Sequence, residues 1–200
     1  MRKLLLCLSL GLLLQAPAWA QGGRESFEIA VKHAGDKAEL LTRDQLQRLM
    51  RQHDLSKWLF TKKVVIDRDE GIPHSHPVLT LNTDYLKDDE LLLSTFVHEQ
   101  THWLLEQKGD QTKRAMAELR GLFPNAPSGP PDGARDQESS YRHLIVCYLE
   151  YQALRELLGE LRGRQVIEFW ETHHYKWVYR QVLNDERRIG AVVRKHRLTI

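Results

Sequence analysis

Residues 88–107 read Asp-Asp-Glu-Leu-Leu-Leu-Ser-Thr-Phe-Val-His-Glu-Gln-Thr-His-Trp-Leu-Leu-Glu-Gln. Asp88 and Asp89 favour a helix N-terminus, by capping and through the helix dipole, and Gly109 offers a stop just beyond. The segment between is apolar on most of its circumference, so the helix should be buried, and two histidines and a carboxylate inside it need partners. Four-residue spacing puts His98 and His102 one turn apart on one face, close enough to share a zinc ion. Glu99 lies beside them and can reach a metal-bound water as a general base.

A catalytic zinc usually takes three protein ligands and keeps a position for water. The next apolar helix supplies a candidate third. Leu144 to Leu154 carries a single charge, Glu150, and a lone carboxylate in such surroundings is strongly disfavoured unless it is paired or binds metal. His143, seven residues earlier, falls on nearly the same face and suits a role behind the ligands. His143 itself, His173 and His174 are the other possible third ligands, and a surface salt bridge is the bland alternative for Glu150.

Around these two helices, Phe27–Val31, Lys63–Ile66 and Pro77–Thr83 read as strands. Thr42 with Gln45 resembles a capping box opening a helix through Leu46, Leu49 and Met50. A helix is expected over Thr112–Leu122, and residues 123–135, with four prolines and two glycines, form an irregular loop. Helix returns from Ser139 or Ser140 to Leu158. Val166–Phe169 reads as a strand, and one or two helices follow to Arg197. The expectation is an α+β domain, mostly helical, with a small antiparallel or mixed sheet beside the motif helix.

Residues 1–20 carry the marks of a signal peptide: Arg2 and Lys3, the apolar run Leu4–Leu14, and Ala18-Trp19-Ala20 at the cut. The run is eleven residues long, short of the roughly 20 needed to span a bilayer. Residues 21–200 are then one domain, secreted or periplasmic, with no stable membrane insertion once the signal is removed. Of 29 Lys and Arg, the signal takes two, leaving 27 against 27 Asp and Glu. That neutrality is poorly suited to nucleic acid, and Arg194-Lys195-His196-Arg197 reads as a solvated helix face. With Cys7 in the signal, Cys147 has no partner, so no disulfide framework exists and Cys147 reads as core.

Phe96-Val97-His98-Glu99-Gln100-Thr101-His102-Trp103 resembles the active-site helix of zincin metallopeptidases. Glu150 on its own helix resembles the gluzincin branch, in which a second helix supplies a glutamate ligand. The resemblance implies a zincin-like fold with His98, His102 and Glu150 as zinc ligands and Glu99 as base. It also implies a strand running antiparallel along the substrate cleft, for which Val78–Asn82 is the candidate. The chain departs from the metzincin branch, since Gln107-Lys108-Gly109-Asp110 provides no further histidine. It also lacks the acidic partners common around a gluzincin glutamate, with Val146 and Leu154 in their places.

Such enzymes use a His, Tyr or Arg to stabilise the oxyanion. His174 or Tyr175 would serve, although their spacing with Trp170, Trp177 and Val178 equally fits a packed stripe. His74-Ser75-His76 reads as a turn that could line the site. The expected function is zinc-dependent hydrolysis of a peptide, protein or other amide substrate. The competing expectation is a non-catalytic exported helical protein, with a structural metal or an interaction role.

Overall fold

The computed structural model describes residues 27–200, so the signal-peptide reading lies outside the described residues. Three short strands, β1 (Glu28–Val31), β2 (Lys63–Ile66) and β3 (Leu79–Leu81), form one sheet in the order β1-β2-β3. Among the described residues seven α-helices accompany it, α1 (Lys37–Gln52), α2 (Asp89–Gln107), α3 (Gly109–Leu122), α4 (Gln137–Leu158), α5 (Glu160–His173), α6 (Lys176–Asn184) and α7 (Glu186–Lys195), with a short 3₁₀ helix at Ser56–Trp58. The protein is therefore mostly helical with a small sheet. No described helix is long and apolar enough to cross a membrane.

The sheet is parallel, not antiparallel or mixed as expected: Val64 pairs Leu79, and Ile29 pairs Val64. The reason is connection length. Residues 67–78 carry the chain from the end of β2 back to the start of β3, and a return of about a dozen residues is what a parallel neighbour requires. Among the described residues, antiparallel pairing survives only as an isolated bridge, where the His74 and Thr80 backbones exchange both hydrogen bonds.

Three further expectations are corrected. Val166–Phe169 is helical: Gly163, Val166, Ile167 and Trp170 are buried at helical spacing, and that stripe overrides the strand propensity of the short apolar run. Helix α2 ends at Gln107 as expected, but α3 opens at Gly109, three residues before Thr112, with only Lys108 between the two helices. Helix α1 starts five residues earlier than Thr42, because Asp36 caps it by accepting from the Glu39 N–H, and Thr42 lies buried in its interior.

Helices α2 and α4 form the centre of the core and are covered nearly all round. Phe96, Val97, Leu144, Ile145 and the free Cys147 are all fully buried. Gln100 fixes α2 against the segment leading into β2: its amide oxygen accepts from the N–H groups of Phe60 and Thr61, and its amide nitrogen donates to the Thr61 carbonyl. Asp88 and Asp136 cap α2 and α4 respectively, accepting from Leu91 and Ser139 N–H, and Gly159 ends α4 at φ +86°.

Candidate metal centre

The facing sides of α2 and α4 each carry a polar stripe in an otherwise apolar core. Ser94, His98 and His102 follow one another at four-residue spacing on α2, and His143, Cys147 and Glu150 lie on one face of α4. Their contacts pair the helices antiparallel: Ser94 meets Glu150 at one end, and His102 meets His143 at the other. His98 stands between and touches both.

At one end three imidazoles converge. The ring centres of His98, His102 and His143 are 5.1, 5.0 and 5.5 Å apart, and each ring offers a nitrogen within 4.8 Å of the others. Two of the rings have their orientation fixed. His98 donates from Nδ1 to Glu150 Oε2 at 2.9 Å, and His143 donates from Nδ1 to the Ser139 carbonyl at 2.7 Å. In the neutral imidazole each bond leaves Nε2 without a proton and able to donate its lone pair to a metal ion, so His98, whose pKa is raised, gives up its second proton when a metal binds. The three residues could thus hold one.

Glu150 does not join His102. It groups with His98 and Cys147 in a second set that could hold a metal ion, and its carboxylate accepts from three donors: His98, the Tyr179 hydroxyl at 3.0 Å, and the Ser94 hydroxyl. The proton order is forced, because the Trp170 indole N–H can only donate, and it does so to Ser94 Oγ at 2.8 Å. Ser94 then passes its own proton to Glu150. His143, one of the alternative third ligands, stands with the paired histidines, and Glu150 meets His98 at its Nδ1. Neither His173 nor His174 joins the cluster. His173 is exposed and stacks on Phe169, with ring centres 3.8 Å apart.

Burial sets the protonation of this group. Burial and the neighbouring histidines hold His102 well below its usual range, and burial with the charge of His98 brings His143 to about 3. Burial also opposes charge on His98, but hydrogen bonds to Cys147 and Glu150 outweigh it and leave its pKa well above the usual value. The cluster therefore keeps at least two neutral imidazoles, the form that binds metal.

Glu99 opens onto a cleft of about 270 Å³ that also exposes His98, His174 and Tyr175. Burial pushes its carboxyl up to about 7, which makes it a proton acceptor near neutrality. Tyr175 sits directly over the cluster, its ring 4.4 Å from His143 and nearly parallel to that of His98 at 6.2 Å. Its backbone is left-handed, at φ 49° and ψ 37°, a conformation costly for a residue with a Cβ. The 123–136 loop holds it there: the next two N–H groups, of Lys176 and Trp177, donate to the carbonyls of Pro131 and Asp132. His174 packs on Trp170 at 4.7 Å, and burial lowers its pKa to about 4.

His74-Ser75-His76 packs on α2 beyond the motif. Trp103 donates to the Ser75 carbonyl at 2.8 Å, and the His76 ring stacks on Trp103 at 4.3 Å. The sequence reading passed over Ser94, Trp170 and Tyr179 as supports. Ser94 alone had left a sign, as a polar residue one turn before His98. Comparison with known proteins adds no relative: no family model, no curated protein and no solved structure matches the chain.

Proposed function

We propose that the protein is a zinc-dependent hydrolase of the metallopeptidase kind, with His98, His102 and His143 as ligands and Glu99 as general base. The observation that carries the reading is the convergence of three imidazoles, two buried and anchored through Nδ1 and one half-buried, beside a carboxyl facing a cleft. Among the described residues no fourth His, Cys, Asp or Glu groups with all three nitrogen donors, which is the donor set of a catalytic zinc, whereas a structural zinc is closed by four protein ligands. Bound there, zinc would supply Lewis acidity, polarising an amide carbonyl and acidifying water.

The remaining work falls to the chain's own residues. Glu99 takes a proton from the attacking water and hands it to the departing amine, a task suited to a carboxyl of pKa near 7. Glu150 orients His98 and raises its basicity as a ligand, and Ser94, Tyr179 and Trp170 hold Glu150 in place. The Tyr175 hydroxyl, raised by burial and so protonated at neutral pH, donates to the developing oxyanion. His174, kept neutral, shapes the wall beside it. A zincin-like relationship and an exported location belong to the same reading.

The test is metal content and hydrolysis on one preparation. Purified protein should carry about one zinc per chain by mass spectrometry and cut unstructured peptides. Glu99→Gln should keep the metal and lose at least a hundredfold in rate, the usual share of a general base. Protein that takes up no zinc, or a Glu99→Gln variant as active as the parent, would end the proposal.

A further inference from the structure

The cleft has a charge pattern that the proposed chemistry leaves unused. Three carboxyls line it, those of Asp84, Glu99 and Glu150, and no lysine or arginine does. Glu150 is consumed by its three donors, and Glu99 is assigned to proton transfer. Asp84 remains. Asp89 pairs with Arg48 and Glu90 with Arg162, whereas Asp84, which is exposed, has no cationic partner among the described residues.

Asp84 is nonetheless held in place. Asn82, buried at the end of β3, donates from Nδ2 to Asp84 Oδ2 at 2.8 Å and accepts the Asp84 N–H at 3.3 Å. Beside it stand Tyr85 and Trp170, edge to face with ring centres 5.4 Å apart, both on the cleft wall. Ile72, one of the few large apolar side chains left exposed among the described residues, also lines the cleft. An unpaired carboxylate beyond an aromatic and aliphatic wall is the arrangement that receives a long cationic side chain. The rings cover its apolar stem and attract its charge, while the carboxylate takes the head group.

We infer that the cleft selects substrates bearing a cationic group, ammonium or guanidinium, close to the bond that is cut, with Asp84 as the residue that recognises it. The inference rests on the hydrolase reading for the word substrate, and on the cleft alone for the preference. Asp84 and Glu99 line the same cleft, so the group that Asp84 meets lies on the stretch of substrate that carries the bond beside Glu99.

The experiment measures binding and cleavage separately. Zinc-loaded Glu99→Gln protein is titrated with the N-acetylated, C-amidated peptide Ala-Phe-Arg-Phe-Ala and with versions carrying Lys, norleucine or Glu in place of Arg. A fifth peptide, norleucine with a free N-terminus, distinguishes a main-chain amine from a side-chain cation. The Arg or Lys peptide, or the free amine, should bind about tenfold tighter than blocked norleucine, the worth of one charge-assisted hydrogen bond. That ratio should fall to near one when Asp84→Asn is added, and should shrink with salt in the Asp84 protein. Equal binding of all five peptides, tighter binding of Glu, or a ratio unmoved by Asp84→Asn overturns the inference. Cleavage of the same peptides by wild type reports on the hydrolase reading by itself. Selective binding without any cleavage retains the inference and removes the hydrolase. Unselective cleavage does the reverse.

Discussion

Replacing Glu150 and His143 in turn separates a residue that binds metal from one that orients the ligand. Glu150→Ala would strand three buried donors, on His98, Tyr179 and Ser94. At about 1–3 kcal/mol each, the loss is comparable with the roughly 5–15 kcal/mol that holds a whole domain. Glu150→Gln is the better probe, because it keeps the volume and one acceptor oxygen. It leaves His98, His102 and His143 in place but weakens the hold on His98 Nδ1. Zinc affinity should then fall 10- to 100-fold, about 1.4–2.7 kcal/mol. His143→Ala removes a donor outright. A zinc site of three or four ligands worth about 10–16 kcal/mol loses roughly 3 kcal/mol or more per ligand, so affinity should fall beyond a hundredfold. The assay is competition against a chromophoric chelator of known zinc affinity at pH 7.5, with circular dichroism confirming that each variant folds. The reasoning is refuted if Glu150→Gln abolishes binding while His143→Ala retains affinity within tenfold of wild type.

Tyr175→Phe should lower kcat about a hundredfold with little change in KM, since its hydroxyl is assigned to the transition state alone; an unaltered kcat removes Tyr175 from that role. Acid should destabilise the metal-free protein. Burial depresses His143 to about 3 and His174 to about 4, so the unfolded chain binds protons that the folded one refuses, and this stability is full above pH 6.5 and lost as pH falls toward 4. His174→Gln should flatten the Tm–pH curve over that window, and a slope identical to wild type would contradict the assignment. Gly163→Ala should cost about 1–3 kcal/mol in urea unfolding, because a Cβ there would lie 2.8 Å from the Arg155 backbone nitrogen and force α5 off α4; a neutral result would mean that the helices can separate freely.

The sequence by itself determined which residues face which way. Four-residue spacing put His98 and His102 on one side of α2, and an apolar helix with one carboxylate made Glu150 a buried residue in need of partners. Capping residues placed the start of α2 at Asp88 and the end of α4 at Gly159. Periodicity along one chain fixes the angle at which a side chain leaves a helix. It does not fix how far one helix slides along another. His143 and Glu150 share a face but lie about 10 Å apart along the axis of α4, so only one of them can meet His102. Packing decided the offset: Trp170 of α5 and Tyr179 of α6 hold Ser94 and Glu150 together at one end, and His143 is delivered to the histidines at the other. The same limit hid the parallel sheet, the helical state of residues 166–169 and the strained turn at Tyr175. Each depends on contacts between segments distant in sequence, which local spacing does not encode.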